Sequence, residues 1–236
     1  MTSEYPQVDG QLSNTCYLRA LDSAFARYAQ SLRHREGLEF SLDLFDHVLF
    51  HSPYTKLVQK SFARLAMLDT HRVGGKYSDL KLEDTYDDKH LMKELTDSSN
   101  AAFKQKVCPS LKLARQLGNS YTGSIYASLN SLLASRPRPG QRALMFSYGS
   151  GLAASMFSFR VNGPVDNVTS ADYDLDARLG ARDQRSPEEF TEALSLRHRT
   201  HLQAPYKPTG AGLDLWQGSW VLDDIKPNRV RTYARV

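Results

Sequence analysis

Apolar positions recur every three to four residues in five segments of the chain, a period typical of helices packed on one face. The first segment predicts a helix over residues 13–30, with Ser13 as its N-cap. Ser52 and Pro53 are suited to the N-cap and first position of a second helix, over residues 53–68. The three remaining helices are predicted over residues 89–106, 121–134 and 187–201.

Shorter apolar runs between these helices predict strands, over residues 45–50, 143–148, 154–161, 220–222 and 229–236. The turn Gly149-Ser150-Gly151 separates the second strand from the third and predicts an antiparallel hairpin. A closing hairpin is expected around Pro227-Asn228. Strands interspersed with helices predict the α/β or mixed α+β class. Because no segment has the composition of a linker, we expect residues 1–236 to form one domain.

Composition narrows the class of protein. Hydrophobic residues make up 41% and charged residues 24%, as in soluble globular proteins. No apolar run approaches the length of about 18 residues that would span a membrane. The first residues have neither a basic nor an apolar segment, so we expect no secretory signal. Two cysteines, Cys16 and Cys108, are too few for a disulfide framework and favour a reducing, cytoplasmic location. The net charge of +4 is scattered, which predicts weak attraction to anions and neither nucleic-acid nor membrane binding.

The junction Phe50-His51-Ser52-Pro53-Tyr54 carries the most informative chemistry, because an apolar strand ends there at a histidine and a helix follows. In α/β folds such junctions commonly hold ligand-binding groups. Lys56, Lys60 and Arg64 recur every four residues and lie on nearly one helix face. They could bind a phosphorylated ligand while His51 does acid chemistry near neutral pH. They could equally be a solvated helix face beside a hydrogen-bonded strand end, and spacing does not decide between these readings.

Two glycine-containing segments are further candidates. Gly149-Ser150-Gly151 could bring backbone N–H groups and a hydroxyl to a ligand, or simply form a hairpin turn. Gly118-Asn119 could present an amide to a carbonyl, or cap the following helix. We expect no metal site, because the spacing of His47 and His51 is not accompanied by a third ligand. Neither cysteine is placed as a nucleophile would be.

Several blocks together resemble hydroxymethylglutaryl-CoA (HMG-CoA) synthases, which have a thiolase-like fold. The segment from Phe50 to Ser61 is similar to the family's histidine segment. Other blocks follow in the family's order: Ser3 to Pro6, Val8 to Gly10, Leu12-Ser13, Lys81 to Tyr86, Gly118 to Thr122, Phe146 to Ala154 and Arg231 to Arg235. The resemblance therefore spans nearly the whole chain and identifies it as the C-terminal portion of such an enzyme. Thr55 and Ser120 depart from the cysteine and methionine common in the family.

The resemblance implies condensation of acetyl-CoA with acetoacetyl-CoA and water to HMG-CoA and CoA, in the mevalonate pathway of isoprenoid synthesis. It implies that His51 anchors acetoacetyl-CoA and protonates the developing alkoxide. Roles in binding are implied for the remaining site residues: Lys56 and Lys60 for CoA phosphate or pantetheine groups, Ser13 for the CoA moiety, and Asn119 and Ser150 for acyl carbonyls. It also implies a homodimer and no cofactor beyond the CoA thioesters themselves.

The family's cysteine nucleophile and glutamate base belong to an N-terminal half that matches no segment of this chain. We therefore expect the chain alone to be inactive in condensation. A non-catalytic acyl-CoA-binding fragment or a dimer partner is the alternative. Without that half, the helix over residues 121–134 and the strand around Phe146 are expected to expose apolar surface, causing aggregation, instability or dependence on a partner.

Overall fold

A computed structural model describes residues 9–149, 151–165, 174–209 and 215–236. The chain divides into two compact units, residues 1–180 and 181–236. The assignment of residues 1–236 to one domain stays a prediction. The helices are α1 (Gly10–Glu36), α2 (Thr55–Arg72), α3 (Lys89–Lys106), α4 (Lys112–Leu117), α5 (Ser124–Ala134), α6 (Leu175–Gly180) and α7 (Pro187–Thr200). The strands are β1 (His47–Phe50), β2 (Arg142–Gly149), β3 (Ala153–Arg160), β4 (Trp220–Ile225) and β5 (Arg231–Arg235). The mixed helix and strand class is confirmed.

The first helix starts earlier than the sequence predicts. The carboxylate of Asp9 accepts a hydrogen bond from the Leu12 amide at 3.0 Å, so Asp9 is the N-cap and the assignment of Ser13 to that position is wrong. An acceptor one turn earlier satisfies the free amides of the first turn and lengthens the helix. The helix ends at Gly37, whose φ of 67° is the left-handed conformation of a C-cap glycine.

The first unit is built on a three-stranded sheet in the order β1-β2-β3. β1 and β2 are parallel, with Phe50 opposite Phe146, and the predicted antiparallel hairpin of β2 and β3 is confirmed. Side chains alternate between the two sheet faces. Phe50 and Phe146 pack in the large cluster with α1, α2 and α3, whereas Leu49 and Met145 pack against α5. Helices therefore cover both faces of β1 and β2.

The second helix begins later than predicted. Its N-cap is Tyr54, and Thr55 is its first helical residue, so the assignment of Ser52 and Pro53 to these positions is wrong. Ser52 is buried, and its Oγ has no hydrogen-bond partner among the described residues. The strand conformation continues through the junction because the His51 amide donates to the Phe146 carbonyl at 2.8 Å. Helix α3 has the predicted bounds.

The expected exposure of the Phe146 strand is wrong, because Phe146 is only 1% exposed. As the central strand, β2 has a neighbour on each edge and helices on each face. Exposed apolar groups of this unit lie instead on the outer strand β3, where Phe157 is 44% exposed, and on α5, where Tyr126 is 69% exposed. The predicted exposure is thus partly correct for the helix.

The second unit contains α7 and the hairpin of β4 and β5. Ser186 and Glu189 form a capping box at the start of α7, each side chain bonding the other's backbone amide. The predicted closing hairpin is confirmed by the antiparallel pairing of Leu222 with Tyr233. Within the described ranges, no helix has the length and apolar character to cross a membrane.

Candidate active site

His51 lies just past the carboxyl end of β1, in an aromatic environment. The Tyr17 hydroxyl donates to the His51 carbonyl at 2.6 Å, and its ring stacks with the imidazole at a centroid distance of 6.3 Å. The ring of Tyr148, near the carboxyl end of β2, lies 6.1 Å from the imidazole. Both tyrosines and the sheet therefore fix the backbone and ring of His51.

Burial lowers the pKa of His51 from its usual value of 6.5. An imidazole that resists protonation is neutral at pH 7 and presents one N–H donor and one acceptor. Burial also raises the pKa of Tyr17, so its hydroxyl keeps its proton and remains a donor. His51 is thus a fixed, neutral hydrogen-bonding group that is 8% exposed.

A cleft of about 590 Å³ opens between the N-terminal parts of α1, α2 and α3. Most of the residues that line it are polar or charged, and their apolar portions also face the cleft: Gln11, Asn14, Thr15, Leu18, Lys56, Leu57, Gln59, Lys60, Tyr86, Asp87, Asp88, Lys89, Met92, Lys93, Thr96 and Asp97. The Tyr54 hydroxyl donates to Asn14 Oδ1 at 2.9 Å and so ties the His51 junction to this lining. We call this the helical cleft.

Four lysines line the helical cleft: Lys56, Lys60, Lys89 and Lys93. Within the part of the chain that the structure describes, none of these ammonium groups has an ion-pair partner. The start of α2 adds positive potential, because Tyr54 provides no side-chain cap for its first amides. Asp87, Asp88 and Asp97 place negative charge on the α3 side. The arrangement can hold a polyanion against α2.

Asn119 lies in the turn before α5, where Gly118 adopts φ 76° and ψ −153°, a conformation open essentially to glycine. Its Oδ1 accepts from the Tyr121 amide at 2.8 Å and from the Ser124 hydroxyl at 3.0 Å. Because Asn119 is exposed and its oxygen is occupied, its carboxamide N–H groups are available as donors. Ser128, one turn after Ser124, donates to the Phe50 carbonyl at 3.3 Å. The turn therefore lies at the same end of the sheet as His51.

The other two predicted contacts are less well placed or not described. Ser13 is exposed in the first turn of α1 and does not line the helical cleft, although its neighbour Asn14 does. Ser150 lies outside the described residues. Of its described neighbours, Leu152 donates its amide to the Gly149 carbonyl at 2.9 Å. The structure thus places Lys56 and Lys60 in the helical cleft, whereas His51 is not among the residues that line it. The hydrogen bond from Tyr54 to Asn14 links the His51 junction to that lining.

A buried ion pair supports the far end of the cleft. The guanidinium of Arg64 is wholly buried and donates twice to Asp22, from Nε at 2.6 Å and from Nη2 at 2.5 Å. Its Nη1 donates to Thr85 at 2.9 Å. The Tyr86 hydroxyl donates to Asp22 at 2.7 Å, and the guanidinium lies 4.3 Å from the centre of the Tyr86 ring. Arg64 is therefore a structural cation rather than a ligand contact of the lysine face.

Neither cysteine lies in the helical cleft. Cys16 is half-buried on α1 beside a separate depression, and the Cys108 thiol accepts a hydrogen bond from Arg115 at 3.4 Å. Across the described residues there is no cluster of three or more groups that could hold a metal ion.

Sequence reasoning missed the aromatic frame and the α3 side of the cleft. Tyr17 and Tyr148 reach His51 from distant parts of the chain. Lys89 and Lys93 show helical spacing in the sequence, but nothing local indicates that α3 faces α2. Tyr86 ends the block from Lys81 that resembles the HMG-CoA synthase family, but the sequence alone gives this tyrosine no role.

Comparison with known proteins gives the family. The model for the C-terminal region of hydroxymethylglutaryl-coenzyme A synthase matches residues 1–236. Hydroxymethylglutaryl-CoA synthase A of Dictyostelium discoideum is 44% identical over 245 residues, covering 100% of this chain and 51% of that protein. The mitochondrial hydroxymethylglutaryl-CoA synthase of Bos taurus is 41% identical over 260 residues, with 100% and 51% coverage. Other relatives are named as cytoplasmic enzymes.

A solved structure, MvaS in complex with 3-hydroxy-3-methylglutaryl coenzyme A, matches with a TM-score of 0.72 at 28% identity. The match covers 97% of this chain and 51% of that chain. The predicted thiolase-like fold of an HMG-CoA synthase C-terminal region is thereby confirmed. The chain spans about half the length of the curated relatives it matches. It belongs to the hydroxymethylglutaryl-coenzyme A synthase C-terminal family.

Proposed function

We propose that this chain forms the acetoacetyl-CoA side of an HMG-CoA synthase, an acyltransferase of the mevalonate pathway. The reaction joins acetyl-CoA, acetoacetyl-CoA and water to give HMG-CoA and CoA. The observation that carries the proposal is the helical cleft, which Lys56 and Lys60 line and which the hydrogen bond from Tyr54 to Asn14 links to the His51 junction. Family membership and the HMG-CoA complex of the MvaS neighbour support the ligand class.

In this proposal the neutral imidazole of His51 donates its N–H to the ketone oxygen of acetoacetyl-CoA. As the new carbon–carbon bond forms, that oxygen gains negative charge, which the imidazole N–H stabilises. When the oxygen takes this proton, the other imidazole nitrogen takes one from water, so the ring stays neutral. Tyr17 and Tyr148 keep the ring in place, so little reorganisation accompanies the step. Asn119 donates to an acyl carbonyl through the N–H groups that its own hydrogen bonds leave outward.

Lys56 and Lys60 bind the phosphate and pantetheine portion of CoA, for which mobile point charges are suited. The roles of Ser13 and Ser150, toward the CoA moiety and an acyl carbonyl, also remain proposals from the family resemblance. Neither cysteine lines the cleft. We therefore propose that the nucleophile that carries the acetyl group, and the base that removes its methyl proton, come from residues outside these 236.

Calorimetric titration of the chain with acetoacetyl-CoA tests the binding part of this function. Replacing Lys60 by alanine should weaken binding about 10-fold, since a hydrogen bond to a charged group is worth roughly 1.5–3 kcal/mol. Lys104→Ala, an exposed α3 lysine outside the cleft lining, is the charge-matched control and should leave affinity unchanged. No heat at millimolar ligand, or equal effects of the two variants, would contradict the proposal.

A homodimer and a cytoplasmic location are further proposals. The first rests on the family resemblance and is tested by sedimentation of the chain, alone and after co-expression with the part of a full-length relative that it does not match. The second rests on relatives named as cytoplasmic enzymes, although others are named mitochondrial. Imaging of the tagged native gene product would distinguish these compartments.

A further inference from the structure

The helical cleft has two chemically different ends. At one end, Tyr54 bonds Asn14 beside the His51 junction, and at the other Tyr86 bonds Asp22. Asn14 and Asp22 are eight residues apart on α1, so these ends are about 12 Å apart at 1.5 Å per residue. Lys60 lies one helical turn before Arg64, which lies under Tyr86. A ligand that lies in the cleft from Asn14 past Lys60 therefore arrives at Tyr86.

Tyr86 is the one aromatic residue among the described residues that line this cleft. Its ring is held at two points, by the hydroxyl bond to Asp22 and by the guanidinium of Arg64 against the ring. Arg64 is itself buried and fixed by Asp22 and Thr85. A half-buried ring whose position is set in this way is a rigid platform. Such a ring can bind a planar group without losing conformational freedom.

The two carboxylates next to Tyr86 favour a nucleotide base there over a phosphate, although Lys89 and Lys93 also line this side of the cleft. Asp87 and Asp88 follow it directly on the cleft rim. Asp88 accepts from two α3 amides, whereas the Asp87 carboxylate has no partner among the described residues. A carboxylate repels phosphate but accepts a hydrogen bond from an exocyclic amine. Lys56 and Lys60 offer the phosphates a better position nearer to His51.

We infer that Tyr86 is the stacking surface for the adenine ring of the bound CoA thioester and contributes to its selection over ligands without a nucleotide. The inference rests on the proposed function. It adds a contact at the adenine end of the ligand, distant from the acyl group, that helps to orient the ligand. The base stacks on the ring, its amine faces Asp87, and the phosphates lie along the α2 lysines. Tyr86 is thus a binding residue distant from the reacting carbons.

The test compares two probes, CoA and acetoacetyl-pantetheine, which lacks the nucleotide, by NMR titration of the 236-residue chain. Tyr86→Leu removes the ring and should weaken CoA binding about 10-fold, because stacking of a base on an aromatic side chain is worth roughly 1–3 kcal/mol. It should leave the affinity for acetoacetyl-pantetheine unchanged. Tyr86→Phe keeps the ring over Arg64 and should stay within about 3-fold of the unmodified chain for both probes.

Tyr77→Leu is the matched control, because Tyr77 lies outside the cleft lining and its hydroxyl bonds Glu94 on α3. It should change neither affinity. Retained binding of acetoacetyl-pantetheine by Tyr86→Leu shows that this variant is folded. Equal loss of both probes, or CoA affinity within 2-fold of the unmodified chain, would overturn the stacking role alone. Failure of the unmodified chain to bind CoA would contradict the proposed function as well.

Discussion

The buried pair of Arg64 and Asp22 gives the sharpest stability prediction. Arg64 is 0% exposed and Asp22 is 12% exposed, so neither charge is well solvated. Asp22→Asn keeps the shape of the side chain but leaves the guanidinium buried without its counter-charge. Breaking a buried pair from one side is expected to lower the free energy of unfolding by about 3–5 kcal/mol. That is a large part of the roughly 5–15 kcal/mol that stabilises a typical protein.

Urea unfolding followed by circular dichroism measures this loss. Glu94→Gln is the control, since the Lys76–Glu94 pair is exposed by 68% and 51% and its loss should change the free energy of unfolding little. The double variant Asp22→Leu with Arg64→Met removes both charges and should recover most of the stability, because no unpaired charge remains. A loss below 1 kcal/mol for Asp22→Asn, or no recovery in the double variant, would refute the reasoning.

The remaining predictions concern pH, backbone and capping. Burial lowers the pKa of His51, so the unfolded chain binds a proton more readily than the folded chain. The free energy of unfolding should therefore fall as the pH drops below 6.5. In urea unfolding curves, His51→Gln should lack this part of the pH dependence. Gly118→Ala forces a side chain into a glycine conformation and should destabilise by about 1–3 kcal/mol in urea melts. Asp9→Ala should lower stability by about 1 kcal/mol, while Ser13→Ala, which is no cap, should change thermal unfolding little.

Most elements follow from local pattern. Helix α3 and the hairpin of β2 and β3 are correct because helical period, strand runs and glycine turns are properties of short segments. The starts of α1 and α2 are wrong because a cap depends on which nearby side chain reaches the free amides. Asp9 reaches them in α1, whereas Ser52 is buried beside the sheet. These are differences of a few residues with a tertiary cause.

The candidate site was less accessible to local reasoning. Spacing placed Lys56 and Lys60 on one face but could not show that α3 turns this face into a cleft. Burial of Phe146 on both sides was also missed, because the parallel pairing with β1 joins segments almost a hundred residues apart. The family resemblance supplied the roles of His51 and Asn119, which short-range patterns leave undecided.

The most direct test of the central claim is the imidazole NMR signal of His51 during titration with acetoacetyl-CoA and, separately, with CoA. Both ligands should shift backbone signals at Lys56 and Lys60, because we propose that these lysines bind the CoA portion that the two ligands share. The acyl ligand alone should shift the His51 ring signal, because its ketone oxygen accepts the imidazole N–H. A His51 signal that is unmoved at saturating acetoacetyl-CoA would contradict the account.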